Sequence, residues 1–275
     1  MPASNPRAVD KARTLPCDVV ILDLEDAVLP EMKAAARDAA IAAVRAGGFG
    51  RREVVVRVNA LETPWGEADL AAVAGARPDA VIAPKIRGPA DVAAYERRLA
   101  SAPAETGLWI MVETPQAILD IAAIAAFGGR LCGLVMGIND LAKETRARQT
   151  PDRAPFHPAM ALSVTAARAH GLIALDGVHN EIDDLHALAA VCRQGADFGF
   201  DGKTLIHPSH LEICNAAFSP PSEDVAWARA VIAAFAAPEN AGKGALRVEG
   251  RLAERLHCDE AQRLVAIAEA IEAHA

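Results

Sequence analysis

The feature that most constrains this chain is an alternation. Short, nearly all-apolar runs recur along it: VVILD at 19–23, VVVRVN at 54–59, AVIAPK at 80–85, LWIMVET at 108–114, LCGLVMG at 131–137, LIALDG at 172–177 and ADFGFDGK at 196–203. Between them lie Ala-rich helical stretches such as PEMKAAARDAAIAAVRAGG, which ends on Gly47-Gly48, ADVAAYERRLA and PQAILDIAAIAAFGG. Strands apolar on both faces, alternating with helices, belong to a parallel sheet covered by helices. Seven such units fit either a doubly wound sheet or a (β/α)8 barrel. A doubly wound sheet often carries a Gly-rich phosphate turn, and neither GxGxxG nor GxxxxGK[ST] occurs. A barrel gathers polar residues at the C-terminal ends of many strands. That is the pattern here: Asp23/Glu25/Asp26, Arg57/Asn59, Lys85, Glu113, Asn139/Asp140, Asp176 and Asp201/Lys203.

The expected fold is therefore an α/β TIM barrel over residues 1–219. Its first strand is absent, since MPASNPR reads as a loop. Residues 220–275 read as a helical extension. SEDVAWARAVIAAFAA is a helix with Ser222 as its expected N-cap, PENAGKG a turn-rich linker, ALRVEG a short segment, and DEAQRLVAIAEAIEA a last helix.

Several classes of function are excluded. A net charge of −8 without a dense Lys/Arg block argues against a nucleic-acid partner. No apolar run approaches the roughly 18 residues of a membrane span, and the first residues hold no signal-peptide core. Five scattered cysteines without CxxC or zinc spacing fit a reducing, cytoplasmic setting.

The tip of the first strand poses a question, because three carboxylates crowd into Asp23, Glu25 and Asp26. They form either a solvated turn or part of a cation pocket. Glu113 and Asp140 bear on it. Each follows a buried strand, and the two strands are consecutive. Neighbouring parallel strands lie roughly 5 Å apart, so the two carboxylates can share one hard cation. Mg²⁺ suits that arrangement, since it takes one or two carboxylates and keeps water and substrate oxygens. The alternatives are a charge at a helix N-terminus for Glu113 and an N-cap for Asp140. Arg57 shares a strand face with Val55 and Asn59. It is either a structural ion pair with a barrel-top acid or a fork for a substrate carboxylate, and Lys85 admits the same pair of readings. His179, His186, His207 and His210 look scattered, and no GxSxG elbow or Cys-His arrangement marks a nucleophile.

Six stretches in order, VVILDLEDAV, VRVNALETPWGEADL, VIAPKI, MVETPQAI, GLVMGINDLAKE and GFDGKTLIHPSHLEICNAAFSP, together resemble the citrate lyase β-subunit-like family, whose members cleave malyl-CoA, citramalyl-CoA and citryl thioesters. The resemblance runs from Met1 to about residue 257. It implies a TIM barrel binding Mg²⁺ through Glu113 and Asp140, with Arg57 on the keto-acid end of the substrate. It implies that Glu25 and Asp26 hold metal-bound waters, and that Arg7 and Lys11 meet CoA phosphates unless they are merely a solvated helix start. It also implies a trimer or trimer-based assembly in which a C-terminal segment closes over the neighbour's site. Family members begin with a strand resembling RSxLFVPG, absent here, and their C-terminal DGKMID-like segment carries a catalytic Asp. This chain reads EGRLAE, which puts Glu254 at that place. The leading expectation is a Mg²⁺-dependent lyase, cleaving a 3-hydroxyacyl-CoA into an acyl-CoA and a 2-keto acid. The rivals are hydrolysis of the same thioester and a non-catalytic subunit.

Overall fold

The computed structural model describes residues 1–273. Seven parallel strands lie in sequence order: β1 (Val19–Asp23), β2 (Glu53–Arg57), β3 (Ala80–Ala83), β4 (Gly107–Val112), β5 (Leu131–Met136), β6 (Ile173–Asp176) and β7 (Gly202–Lys203). The helices of this part are α1 (Pro6–Ala12), α2 (Lys33–Ala46), α3 (Gly66–Ala76), α4 (Pro89–Arg98), α5 (Pro115–Leu119), α6 (Ile121–Ala125), α7 (Ile138–Thr145), α8 (His157–His170), α9 (Leu185–Phe198) and α10 (Leu211–Phe218). This is the β/α alternation of a TIM barrel.

The sheet is curled. In a flat sheet the ends of β1 and β5, four spacings apart, would be separated by roughly 19 Å. Yet one ammonium, that of Lys85, lies 3.8 Å from Glu25 beyond β1 and 2.7 Å from Asp140 beyond β5. Inside the curl, alternate residues of the strands pack together: Val19, Ile21, Val55, Ala80, Ile82, Trp109, Met111, Val135 and Leu175. Gly133 makes room for Trp109, because a Cβ there would come within 2.9 Å of the indole.

Several boundaries depart from expectation. The strands stop before Asn59, Lys85 and Glu113, which leaves those residues on the loops above the sheet. PQAILDIAAIAAFGG is two short helices broken at Asp120, and α9 takes Ala196–Phe198 from the expected last strand, which shrinks to Gly202–Lys203. The first-strand position is not bare. Ala3 N–H donates to Asp23 O at 3.0 Å and Asp23 N–H to Met1 O at 2.9 Å, so Pro2 forms a parallel bridge to the tip of β1.

The chain divides into two compact units, Met1–Ala217 and Phe218–Ala275. Within the second, α11 (Ser222–Ala236) and α12 (Arg255–Glu272) pack with an antiparallel hairpin of β8 (Ala245–Val248) and β9 (Arg251–Glu254). Its core includes Ala228, Val231, Val248, Ala253 and Ala261. The hairpin, not foreseen beyond ALRVEG, turns at Glu249 and Gly250 with φ of 47° and 84°, the paired positive values of a tight two-residue turn. The N-cap of α11 is Pro221 rather than Ser222, and α12 starts four residues before Asp259.

Candidate metal and thioester site

The acids at the tip of β1 are met first by Arg57, its register partner on β2. Its Nε and Nη2 donate to Asp23 Oδ1 and Oδ2 at 2.7 and 2.6 Å, a two-pronged pair. Nη1 is left facing Glu25 Oε2 at 2.9 Å and Asp26 at 3.7 Å. The Glu25 contact is an ion pair without hydrogen-bond alignment, and among the described residues Oε2 has no hydrogen-bond partner. Burial works against ionising Asp23, but the Arg57 hydrogen bonds and charge outweigh it and hold the carboxyl below its ordinary range. Glu25 has weaker compensation. Burial pushes its pKa up to about 8, with Arg57 opposing and Asp26 and Glu113 adding to the rise.

The second half of the site is built on β3, β4 and β5. Glu113 directly follows β4, and Thr114 caps α5 by accepting from Ala117 N–H at 3.0 Å. Asp140 lies in the first turn of α7, whose N-cap is Gly137, so it is not the cap itself. Gly137 is needed here, because a Cβ would fall 2.5 Å from Glu113 Cβ and 2.6 Å from its Oε2. Lys85 joins the two acids: its ammonium lies 3.5 Å from Glu113 and 2.7 Å from Asp140. Its backbone N–H donates to Glu113 Oε1 at 2.7 Å. Glu113 is 1 % exposed, and burial raises its pKa against the pull of Lys85. Burial opposes the charge on Lys85 as well, but Glu113, Asp140 and Glu25 outweigh it and raise its pKa.

A buried platform below these loops was not legible in the sequence. Lys33, at the start of α2, donates to Leu24 O (2.9 Å), Glu25 O (2.7 Å) and Asn59 Oδ1 (2.7 Å). Asn59 Nδ2 donates to Leu24 O and to Asp69 Oδ2, and Arg37 pairs with Asp69 at 3.2 Å. Three acceptors satisfy the three donors of a buried ammonium, and together they fix the backbone that presents Glu25. A second cluster lies at β6 and β7. Arg153 and Lys203 both bind Asp176, with Arg153 Nη1 at 2.8 Å from each carboxylate oxygen and Lys203 Nζ at 2.9 Å. Asp176 and Lys203 stood out in the sequence, but Arg153 did not. Three of the histidines read as scattered are in fact neighbours, with ring centroids 6.3 Å apart for His179–His210 and 6.0 Å for His207–His210.

The structure thus brings Arg57, Glu25, Asp26, Lys85, Glu113 and Asp140 together. Arg7 and Lys11 are exposed on α1 and have no partner in this cluster. Glu254 ends β9 in the second unit, where it caps α12: its side chain accepts from the His257 backbone, and its own N–H donates to His257 Nδ1 at 2.8 Å.

The donor set can be tested against a cation. Five carboxylates, Asp23, Glu25, Asp26, Glu113 and Asp140, face two cationic side chains, Arg57 and Lys85, and a single ammonium touches both Glu113 and Asp140. Among the described residues no set of three or more His, Cys, Asp and Glu is arranged to hold a metal. A cation here would take two carboxylates and fill its remaining positions with water and substrate oxygens, which is the habit of Mg²⁺. The residues fit.

Comparison with known proteins decides the family. The profile of the HpcH/HpaI aldolase/citrate lyase family matches residues 1–208. The chain belongs to that family. Within it, this chain is 46 % identical over 273 residues to a (3S)-malyl-CoA thioesterase of Cereibacter sphaeroides, covering 99 % of this chain and 94 % of the relative. It is 32 % identical to an L-malyl-CoA/beta-methylmalyl-CoA lyase of the same species, covering 99 % and 94 %. The protein CitE of Mycobacterium tuberculosis, solved in complex with magnesium, acetoacetate and coenzyme A, superposes with a TM-score of 0.79 at 32 % identity, over 98 % of this chain and 96 % of that one.

Proposed function

We propose that this protein is a Mg²⁺-dependent hydrolase of a 3-hydroxyacyl-CoA thioester of the malyl type. The observation that carries the reading is the 46 % identity along nearly the whole chain to a malyl-CoA thioesterase, against 32 % to a malyl-CoA lyase. The sequence alone favoured the lyase, and the comparisons reverse that order. Carbon–carbon cleavage is retained as the second reading, because the lyase relative and the magnesium- and CoA-bound CitE share the family.

In hydrolysis, water oxygen bonds to the thioester carbonyl carbon, the C–S bond breaks, and the thiolate of CoA takes up a proton. Glu113 and Asp140 would hold Mg²⁺, which when bound supplies positive charge for oxygens of the acid end of the substrate. Arg57 is locked by Asp23 on one edge, so Nη1 is the edge that would turn to a substrate carboxylate. Asp26, 61 % exposed at its side chain, and Glu25 border that place and would hold waters. Glu254 is assigned the proton transfer, from a neighbouring subunit of a trimer, and Arg7 and Lys11 the CoA phosphates. Five free cysteines fit work in the cytoplasm. A non-catalytic role is disfavoured by the intact acid pair.

The test is product analysis with malyl-CoA and Mg²⁺, with Glu113→Gln and Asp140→Asn as controls. Both variants are expected to lose Mg²⁺-dependent turnover while keeping the fold. Full activity in either would remove the shared-cation reading.

A further inference from the structure

Lys85 has a position that neither half of the proposed chemistry explains. A substrate-binding lysine would point away from the metal acids. This one points into them, at 2.7 Å from Asp140, 3.5 Å from Glu113 and 3.8 Å from Glu25. Mg²⁺–O bonds are near 2.1 Å, so a cation bound to both Glu113 and Asp140 must take the space that the ammonium fills, and two positive centres that close repel strongly. We propose that the Lys85 ammonium and the divalent cation compete for one carboxylate seat, with Lys85 as the built-in counter-ion that sets metal affinity and withdraws when metal enters. This rests on the reading that Glu113 and Asp140 are the metal ligands.

Three further observations support the exchange. First, an excess of acids needs a cation, since a buried charge without a partner is costly. Glu113 and Glu25 are both buried, and of the two cationic side chains Arg57 is committed to Asp23. Second, the backbone of Lys85 is anchored independently of its side chain. Its φ of 56° lies in the left-handed region, where a non-glycine residue persists only when its surroundings hold it. Here its N–H holds Glu113 Oε1 at 2.7 Å, the same oxygen the ammonium approaches at 3.5 Å, and this amide bond does not need the ammonium in place. Third, the Lys85 side chain is 30 % exposed, so the four-carbon stem has an open direction in which to swing. The exchange moves only a side chain, and the backbone amide keeps Glu113 aimed throughout.

The experiment uses the full-length protein and Mn²⁺ as the probe, followed by electron paramagnetic resonance without substrate. Lys85→Met keeps an unbranched side chain, one atom shorter, and removes the charge. It is expected to bind Mn²⁺ more tightly than the parent by about tenfold or more, as loss of a close like charge requires, and to melt at a lower temperature in EDTA. A second readout needs no variant: acetylation of Lys85 in the parent, followed by mass spectrometry, should be faster with Mn²⁺ than in EDTA. Unchanged or weaker Mn²⁺ binding by Lys85→Met, or Lys85 labelling that Mn²⁺ does not accelerate, overturns the exchange. A parent that binds no Mn²⁺ overturns the metal reading and the exchange with it. The choice between hydrolysis and carbon–carbon cleavage does not enter any of these outcomes.

Discussion

Glu25 shows at the scale of one residue how the site trades stability for readiness. Its folded pKa of about 8 lies above the ordinary glutamate value of 4.5. A carboxyl shifted this way keeps its proton longer in the folded chain than in the unfolded one, so stability falls as pH rises between those values. Without divalent cation, the melting temperature is expected to drop from pH 5 to pH 8, and Glu25→Gln should flatten that slope. A slope identical in the variant would show that Glu25 is not its source. Asp23 behaves oppositely: its lowered pKa means that its pairing with Arg57 is lost only as pH falls below the usual carboxylate range. Arg57→Lys keeps charge but cannot span both Asp23 oxygens, and a large loss of turnover is expected with a modest loss of stability, read from kcat against Tm. The placement of Glu113 and Asp140 above neighbouring strands was legible in the sequence, because position beyond an apolar strand is a local property. Lys33, Asp69 and Arg153 were not. They reach their partners from helices or loops 10 to 26 residues away, as in Lys33–Asn59, Asn59–Asp69 and Arg153–Asp176, and nothing in the local pattern marks such a reach.

The strands and loops hold these residues by close fits. Gly137, between β5 and α7, lies against Glu113, and Gly137→Ala would push a Cβ into that carboxylate. The variant is expected to fold and to bind Mn²⁺ at least about tenfold more weakly, because carboxylate placement governs coordination. At β6 and β7 two buried cations depend on Asp176. Asp176→Asn leaves both without a carboxylate and is expected to cost about 3–5 kcal/mol in urea unfolding. The alternation itself predicted these elements correctly, since apolar strands and Ala-rich helices follow from side-chain pattern. Their ends were less readable. Where β2, β3 and β4 stop depends on the register of the neighbouring strand, and the break at Asp120 has no proline or glycine to announce it. The β8–β9 hairpin escaped notice because RLAE lacks the β-branched and aromatic residues that mark a strand.

At the scale of the whole molecule, the barrel-like unit holds Glu113 and Asp140 and the second unit holds Glu254. The N-cap contacts of Glu254 give any substitution two effects to separate. Glu254→Ala removes a cap, worth about 1 kcal/mol, and, if Glu254 moves the proton, also lowers kcat by roughly 10² to 10⁴. Glu254→Asp retains a cap and supplies the Asp that the family resemblance implies at this place, and is expected to keep or raise kcat. Loss of Tm alone in Glu254→Ala would confine the residue to capping. The central claim is that the thioester bond, rather than the carbon–carbon bond, is broken. The most direct measurement is chromatographic separation of the products formed from (3S)-malyl-CoA with Mg²⁺ by the purified full-length protein. Free CoA and malate in equal amounts are the expected result, while acetyl-CoA and glyoxylate without free CoA would contradict it.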